Sequence, residues 1–194
     1  MENFKTFDFA ELSNKLKDVG CLIDSSSIIY LDKVEILSIL VNNYKIKTID
    51  TVIEEVTSNL DKQLNEIKSL IKIEIIKKVS ELNLSKFSSL NFLNLNQKLL
   101  CKTSKIDKEL IYTSIYYNYP ILTDDGAISK ICYQIDYQYY NSLIAILLLF
   151  YDDLLTKNKT IEAFFSLNKF GRYNTNIYNF SFNLLEKILK SKKI

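Results

Sequence analysis

Acidic side chains stand just after short apolar runs at three places in the chain. Asp24 follows Cys21-Leu22-Ile23, Glu54 and Glu55 come shortly after the run ending at Ile49, and Asp124 with Asp125 follows Ile121-Leu122-Thr123. A fourth acid, Asp107, lies in Thr103-Ser104-Lys105-Ile106-Asp107, a stretch with the make-up of a helix start. Carboxylates brought together repel, and without a counter-ion some would have to stay protonated at neutral pH. A hard divalent cation resolves that conflict. Mg2+ or Mn2+ takes oxygen ligands, keeps waters and can clamp a phosphate. The chain contains no histidine, which excludes a histidine general base, histidine metal ligands and every serine-histidine or cysteine-histidine scheme.

The elements that must position these acids follow from periodicity. Residues 1–19 read as an amphipathic helix through Phe7, Phe9, Leu12 and Leu16, stopped by Gly20. Cys21 to Ile23 read as a buried strand that delivers Asp24 to a helix start at Ser25. The apolar positions from Ile28 to Val41 fit one broad-faced helix, and Tyr44 to Ile49 alternate as a strand before a short helix through Glu54 and Glu55. The spacing from Asp61 to Leu82 predicts an amphipathic helix with interleaved lysines, and residues 83–102 carry no clear signal. A helix from Thr103 ends at Pro120, the strand Pro120 to Thr123 follows, and Asp124-Asp125-Gly126 turns into another helix. Tyr137 to Tyr140 read as an edge strand. Helices over about 142–156, 159–169 and 175–190 complete the chain.

Parallel strands with right-handed crossovers place all the strand-to-helix junctions on one sheet edge. A helix that returns the chain to a parallel strand starts at that edge too, which brings Asp107 toward the others. The expected fold is therefore α/β, a three-layer α/β/α arrangement around a small, mostly parallel sheet. Residues 1–140 form the core, and residues 141–194 a helical extension packed on it.

Four pieces, in order, carry a family resemblance: Leu22-Ile23-Asp24-Ser25-Ser26, Val52-Ile53-Glu54-Glu55-Val56, Asp107-Lys108-Glu109-Leu110-Ile111 with Ser114, and Ile121-Leu122-Thr123-Asp124-Asp125. With these the chain resembles a PIN domain over about residues 20–140. The resemblance implies a PIN-like fold and an endoribonuclease dependent on Mg2+ or Mn2+, such as the toxin of a toxin-antitoxin pair. It implies Asp24, Glu55, Asp107 and Asp125 as the catalytic carboxylates, and Asp24, Asp107, Asp125 and Asp124 as the metal-binding set. Ser26 or Thr123 would support the site by hydrogen bonding. The partners it implies are RNA, an antitoxin or other protein, and a second copy of the chain. The alternative is a PIN-like protein without catalysis that binds RNA or protein. A phosphatase of the haloacid dehalogenase kind would need an aspartate where Ser26 stands.

The bland alternatives are local. Asp24 can be only a helix cap, Asp107 a partner of a helix dipole and Asp124-Asp125-Gly126 a plain turn. The tyrosines from 112 to 140 and the scattered lysines read as packing and solvated surface. Cys21, Cys101 and Cys132 sit among apolar neighbours as unpaired thiols, and a formal charge of +2 gives no global attraction to nucleic acid. The longest apolar run, Leu143 to Tyr151, is about half of what a membrane span needs, and no secretory signal pattern opens the chain. A cytoplasmic protein is expected.

Overall fold

A computed structural model describes residues 7–58, 72–79, 103–171 and 173–192. Helix α1 (Phe9–Asp18) leads into β1 (Cys21–Ile23), followed by α2 (Ser25–Lys33), α3 (Leu37–Asn43), β2 (Ile46–Thr48) and α4 (Asp50–Ser58). Then come β3 (Glu74–Ile75), α5 (Lys105–Tyr117), β4 (Ile121–Leu122), α6 (Gly126–Gln134) and β5 (Tyr139–Tyr140). Three helices close the described chain: α7 (Ser142–Tyr151), α8 (Lys157–Phe170) and α9 (Thr175–Ser191).

The strands form one sheet in the order β3-β2-β1-β4-β5, and every pairing is parallel. With helices on both faces, this is the three-layer α/β/α fold expected. A central parallel strand is covered on both sides, so it needs apolar residues throughout. All of β1 is buried accordingly. Its register sets Leu22 beside Ile121 and Ile23 beside Leu122, which levels Asp24 with Thr123 at the carboxyl ends of the strands.

Two expectations change. The single helix expected from Ile28 to Val41 is two helices, α2 and α3. Glu35 lies between them in the left-handed region (φ 58), and its N–H reaches the Asp32 carbonyl at 2.9 Å. Each helix buries apolar positions of its own, Ile28 and Leu31 in α2 and Leu37, Leu40 and Val41 in α3. In the described part of the helix expected over 61–82, residues 72–79, a short strand stands instead. Glu74 and Ile75 pair with Lys47 and Thr48, and Lys47 forms an ion pair with Glu74. The remainder of that expectation lies outside the described residues, as do residues 83–102 and Cys101.

Helix α7 is apolar nearly all round, and Leu143 to Phe150 are buried without a break. It packs against α1, α2, α3, α8 and α9, and each large side chain so buried contributes roughly 1.5–3 kcal/mol. No described helix is long and apolar enough to cross a membrane. Cys21 and Cys132 are buried free thiols, each pushed up to about 12 by that burial.

Gly20 fixes the entry into β1. It has φ +96, and a Cβ there would stand 2.3 Å from the Lys45 carbonyl oxygen, the acceptor of the Cys21 N–H. Gly20→Ala therefore combines backbone strain with a collision at the first rung between β1 and β2. It is expected to cost about 3 kcal/mol, seen as a lower urea midpoint at unchanged m. An unchanged midpoint would contradict this placement.

Candidate functional site

The chain builds outward from β1 through β2 to β3, then returns to add β4 and β5 on the other side. The crevice at such a reversal, outside the carboxyl ends of the two strands, is where open α/β sheets bind ligands. Here the reversal falls between β1 and β4. Asp24 follows one of these strands, and Thr123-Asp124-Asp125 follows the other.

Asp24 is only 3% exposed and caps α2. Its Oδ1 accepts from the Ser27 N–H at 2.8 Å, while its Oδ2 accepts from the Ser26 hydroxyl at 2.7 Å and the Thr123 hydroxyl at 2.6 Å. Both supporting hydroxyls thus bind this carboxylate. Burial pushes the Asp24 carboxyl up to about 7, the Asp124 charge adds to the rise, and the hydrogen bonds offset part of it. The Thr123 hydroxyl also accepts from the Asp125 N–H at 3.0 Å, which joins the two strand ends through one side chain.

Asp125 caps α6, its Oδ1 accepting from the N–H groups of Ala127 at 2.6 Å and Ile128 at 3.0 Å. Asp107 and Ser104 form a reciprocal capping box at the start of α5. Burial raises the Asp107 carboxyl above the usual carboxylate range, and the charges of Asp125 and Glu55 raise it further against the Ser104 hydrogen bonds. Acids from α4, α5 and the end of β4 are therefore close enough to feel one another. Glu55 is half-buried whereas Glu54 is exposed, so the α4 face that turns inward carries Glu55.

Asp124 belongs to a different network. Its Oδ1 accepts from Tyr173 Oη at 2.6 Å and the Ser142 N–H at 3.1 Å; its Oδ2 accepts from the Ser27 hydroxyl at 2.7 Å and from the Ser142 hydroxyl. An ionised carboxylate has about four lone-pair sites, and these donors fill them. These bonds give Asp124 a structural role: its carboxylate ties β4 to α2, to the start of α7 and to the link between α8 and α9. Sequence reasoning missed Ser27, Ser142 and Tyr173 because each meets Asp124 across a long stretch of chain.

The donor set fits Mg2+ or Mn2+ in kind, being oxygen only, with like charges that a cation would relieve. The carboxylates do not form a finished cage. Among the described residues, no three acids or cysteines already surround a point that could hold an ion. Asp24 feels the charge of Asp124, and Asp107 feels those of Asp125 and Glu55. Two lysines near this edge face acids: Lys78 spans Asp50 at 3.3 Å and Glu109 at 3.8 Å, and the exposed Lys105 approaches Glu109 at 3.8 Å. Of the tyrosines, Tyr112 is buried and Tyr137 donates to the Ser114 and Tyr119 carbonyls at 2.8 Å each, whereas Tyr116, Tyr117 and Tyr133 are exposed. In comparison with known proteins, no family model and no curated protein matches the chain, so the functional reading rests on this geometry.

Proposed function

We propose that the chain is a metal-dependent endoribonuclease working at the reversal between β1 and β4. The observation that carries this is positional: Asp24, Glu55, Asp107 and Asp125 come from separate elements to one edge of a parallel sheet, at the place where such sheets bind ligands. The resemblance to PIN domains supports the same residues.

Asp24, Asp107 and Asp125 would hold Mg2+ or Mn2+. The bound ion would supply Lewis-acid stabilisation of a phosphodiester and an acidified water. Ser26 and Thr123 fix the plane of the Asp24 carboxylate, and Thr123 keeps Asp125 in step with it. Glu55, half-buried on α4, would orient the water or the metal ion. Occupation of the site would favour the charged form of Asp24 and Asp107, whose carboxyls are otherwise raised. A protein partner of the antitoxin kind, or a second copy of the chain, would complete a toxin's regulation.

A second reading, a PIN-like binding module without catalysis, is favoured by one observation. Asp24, Asp107 and Asp125 each cap a helix, and no finished cage surrounds an ion. Titration of Mn2+ into the purified protein, followed by thermal unfolding and by cutting of 5′-labelled RNA, separates the two. The nuclease predicts a raised unfolding temperature together with cutting, both removed by Asp107→Asn. Stabilisation without cutting selects the binding module, and no response to Mn2+ contradicts ion binding altogether.

A further inference from the structure

Tyr173 reaches the site edge from outside the core of the sheet. It stands on the link between α8 and α9, and its phenol donates to Asp124 Oδ1 at 2.6 Å. Gly171 makes the reach feasible. A Cβ at 171 would meet the Tyr173 ring at 2.4 Å and the Leu167 carbonyl oxygen at 2.6 Å, so the ring folds back onto its own backbone where no larger residue fits. Burial and the Asp124 charge both raise the phenol far above its usual range, which keeps it a donor.

We propose that Tyr173 is a positioning residue of the acidic site, holding Asp124 as an acceptor and thereby fixing the β4 turn on which Asp125 stands. This rests on the nuclease reading above. The linkage is short: Asp124 is the chain neighbour of Thr123 and Asp125, and the Thr123 hydroxyl bonds both the Asp24 carboxylate and the Asp125 N–H. Loss of the Tyr173 hydroxyl removes one of the four donors that hold Asp124 and leaves the Ser142 N–H alone on its Oδ1, which loosens this turn; misplacement of about 1 Å can cost on the order of a hundredfold in rate. The α8 and α9 helices are coupled to the chemistry through one hydroxyl.

The test measures kcat and KM in Mn2+ on a 5′-labelled single-stranded RNA of mixed sequence, with thermal unfolding recorded for each variant. Tyr173→Phe, which keeps the ring and loses the donor, is expected to lower kcat about tenfold or more with KM within threefold. Asp124→Asn keeps an oxygen for Tyr173 and for the Ser142 N–H, and its amide can donate to the serine hydroxyls. It is expected to cut at least tenfold faster than Asp125→Asn. An unchanged kcat for Tyr173→Phe overturns the proposal. So does an Asp124→Asn variant as slow as Asp125→Asn, which would make Asp124 a ligand. A wild type that cuts RNA beside an indifferent Tyr173→Phe overturns this inference alone; a wild type that does not cut overturns the nuclease reading and the inference with it.

Discussion

Asp24→Asn is expected to be more stable than the wild type at pH 8, by about 2–3 kcal/mol, and no more stable below about pH 4. The Asp24 carboxyl rises from 3.8 to about 7 on folding, chiefly because burial disfavours its charge. A raised acid leaves the folded state at its best below the unfolded value, where both states are protonated. Stability is then lost as pH climbs from about 4 to about 7, and the loss is constant above that. A rise of roughly three pH units corresponds to about 4 kcal/mol.

Asparagine removes the charge and keeps an oxygen for the Ser27 N–H. Its amide nitrogen must be accommodated by the hydroxyls of Ser26 and Thr123, which now donate to Asp24. Thr123 already accepts from Asp125, so this rearrangement takes back about 1 kcal/mol. For a chain of this size the net gain amounts to roughly 5–10 °C in unfolding temperature. The difference between variant and wild type, followed from pH 4 to pH 8, isolates this group from all others that titrate. A difference that stays flat with pH would show that Asp24 is not a buried charge.

Asp124→Ala should act in the opposite direction, costing about 3–5 kcal/mol. Ser27 and Ser142 are fully buried, so neither water nor another acceptor replaces the lost carboxylate. Tyr173 loses the acceptor that anchors the link between α8 and α9. The loss would appear as a lower urea midpoint and as faster amide exchange at Ser142, whose N–H donates to Asp124. Asp124→Asn, which keeps the shape and one acceptor oxygen, should lose no more than about 2 kcal/mol. Equal losses in the two variants would mean that charge, rather than the hydrogen-bond network, is what matters there.

What was legible in the sequence was local. Cys21 to Ile23 read as a buried strand because a central parallel strand is apolar throughout. Asp24 and Asp125 announced helix starts because capping depends on residues two or three positions away. The strand at Glu74 and Ile75 was not legible: a two-residue strand amid isoleucines and lysines satisfies a helical period as well as an extended one. The break at Glu35 was hidden because apolar residues recur every few positions on both sides of it and no glycine or proline marks it. The role of Asp124 depends on Ser27, Ser142 and Tyr173, which are 97, 18 and 49 positions away. Neighbouring acids of identical type therefore take opposite duties, one facing the acids of α4 and α5, the other holding helices in place.

Stability and function should part company at Asp24, because the burial that makes its charge costly serves no purpose in a helix cap alone. The most direct measurement is the rate of RNA cutting in Mn2+ at pH 8 by wild type and Asp24→Asn, on preparations whose unfolding temperatures are known and from which contaminating nuclease is excluded. The expected result is a variant that unfolds at higher temperature yet cuts at least a hundredfold more slowly. A variant that cuts as fast as the wild type would contradict the role proposed for Asp24 in metal-dependent cutting.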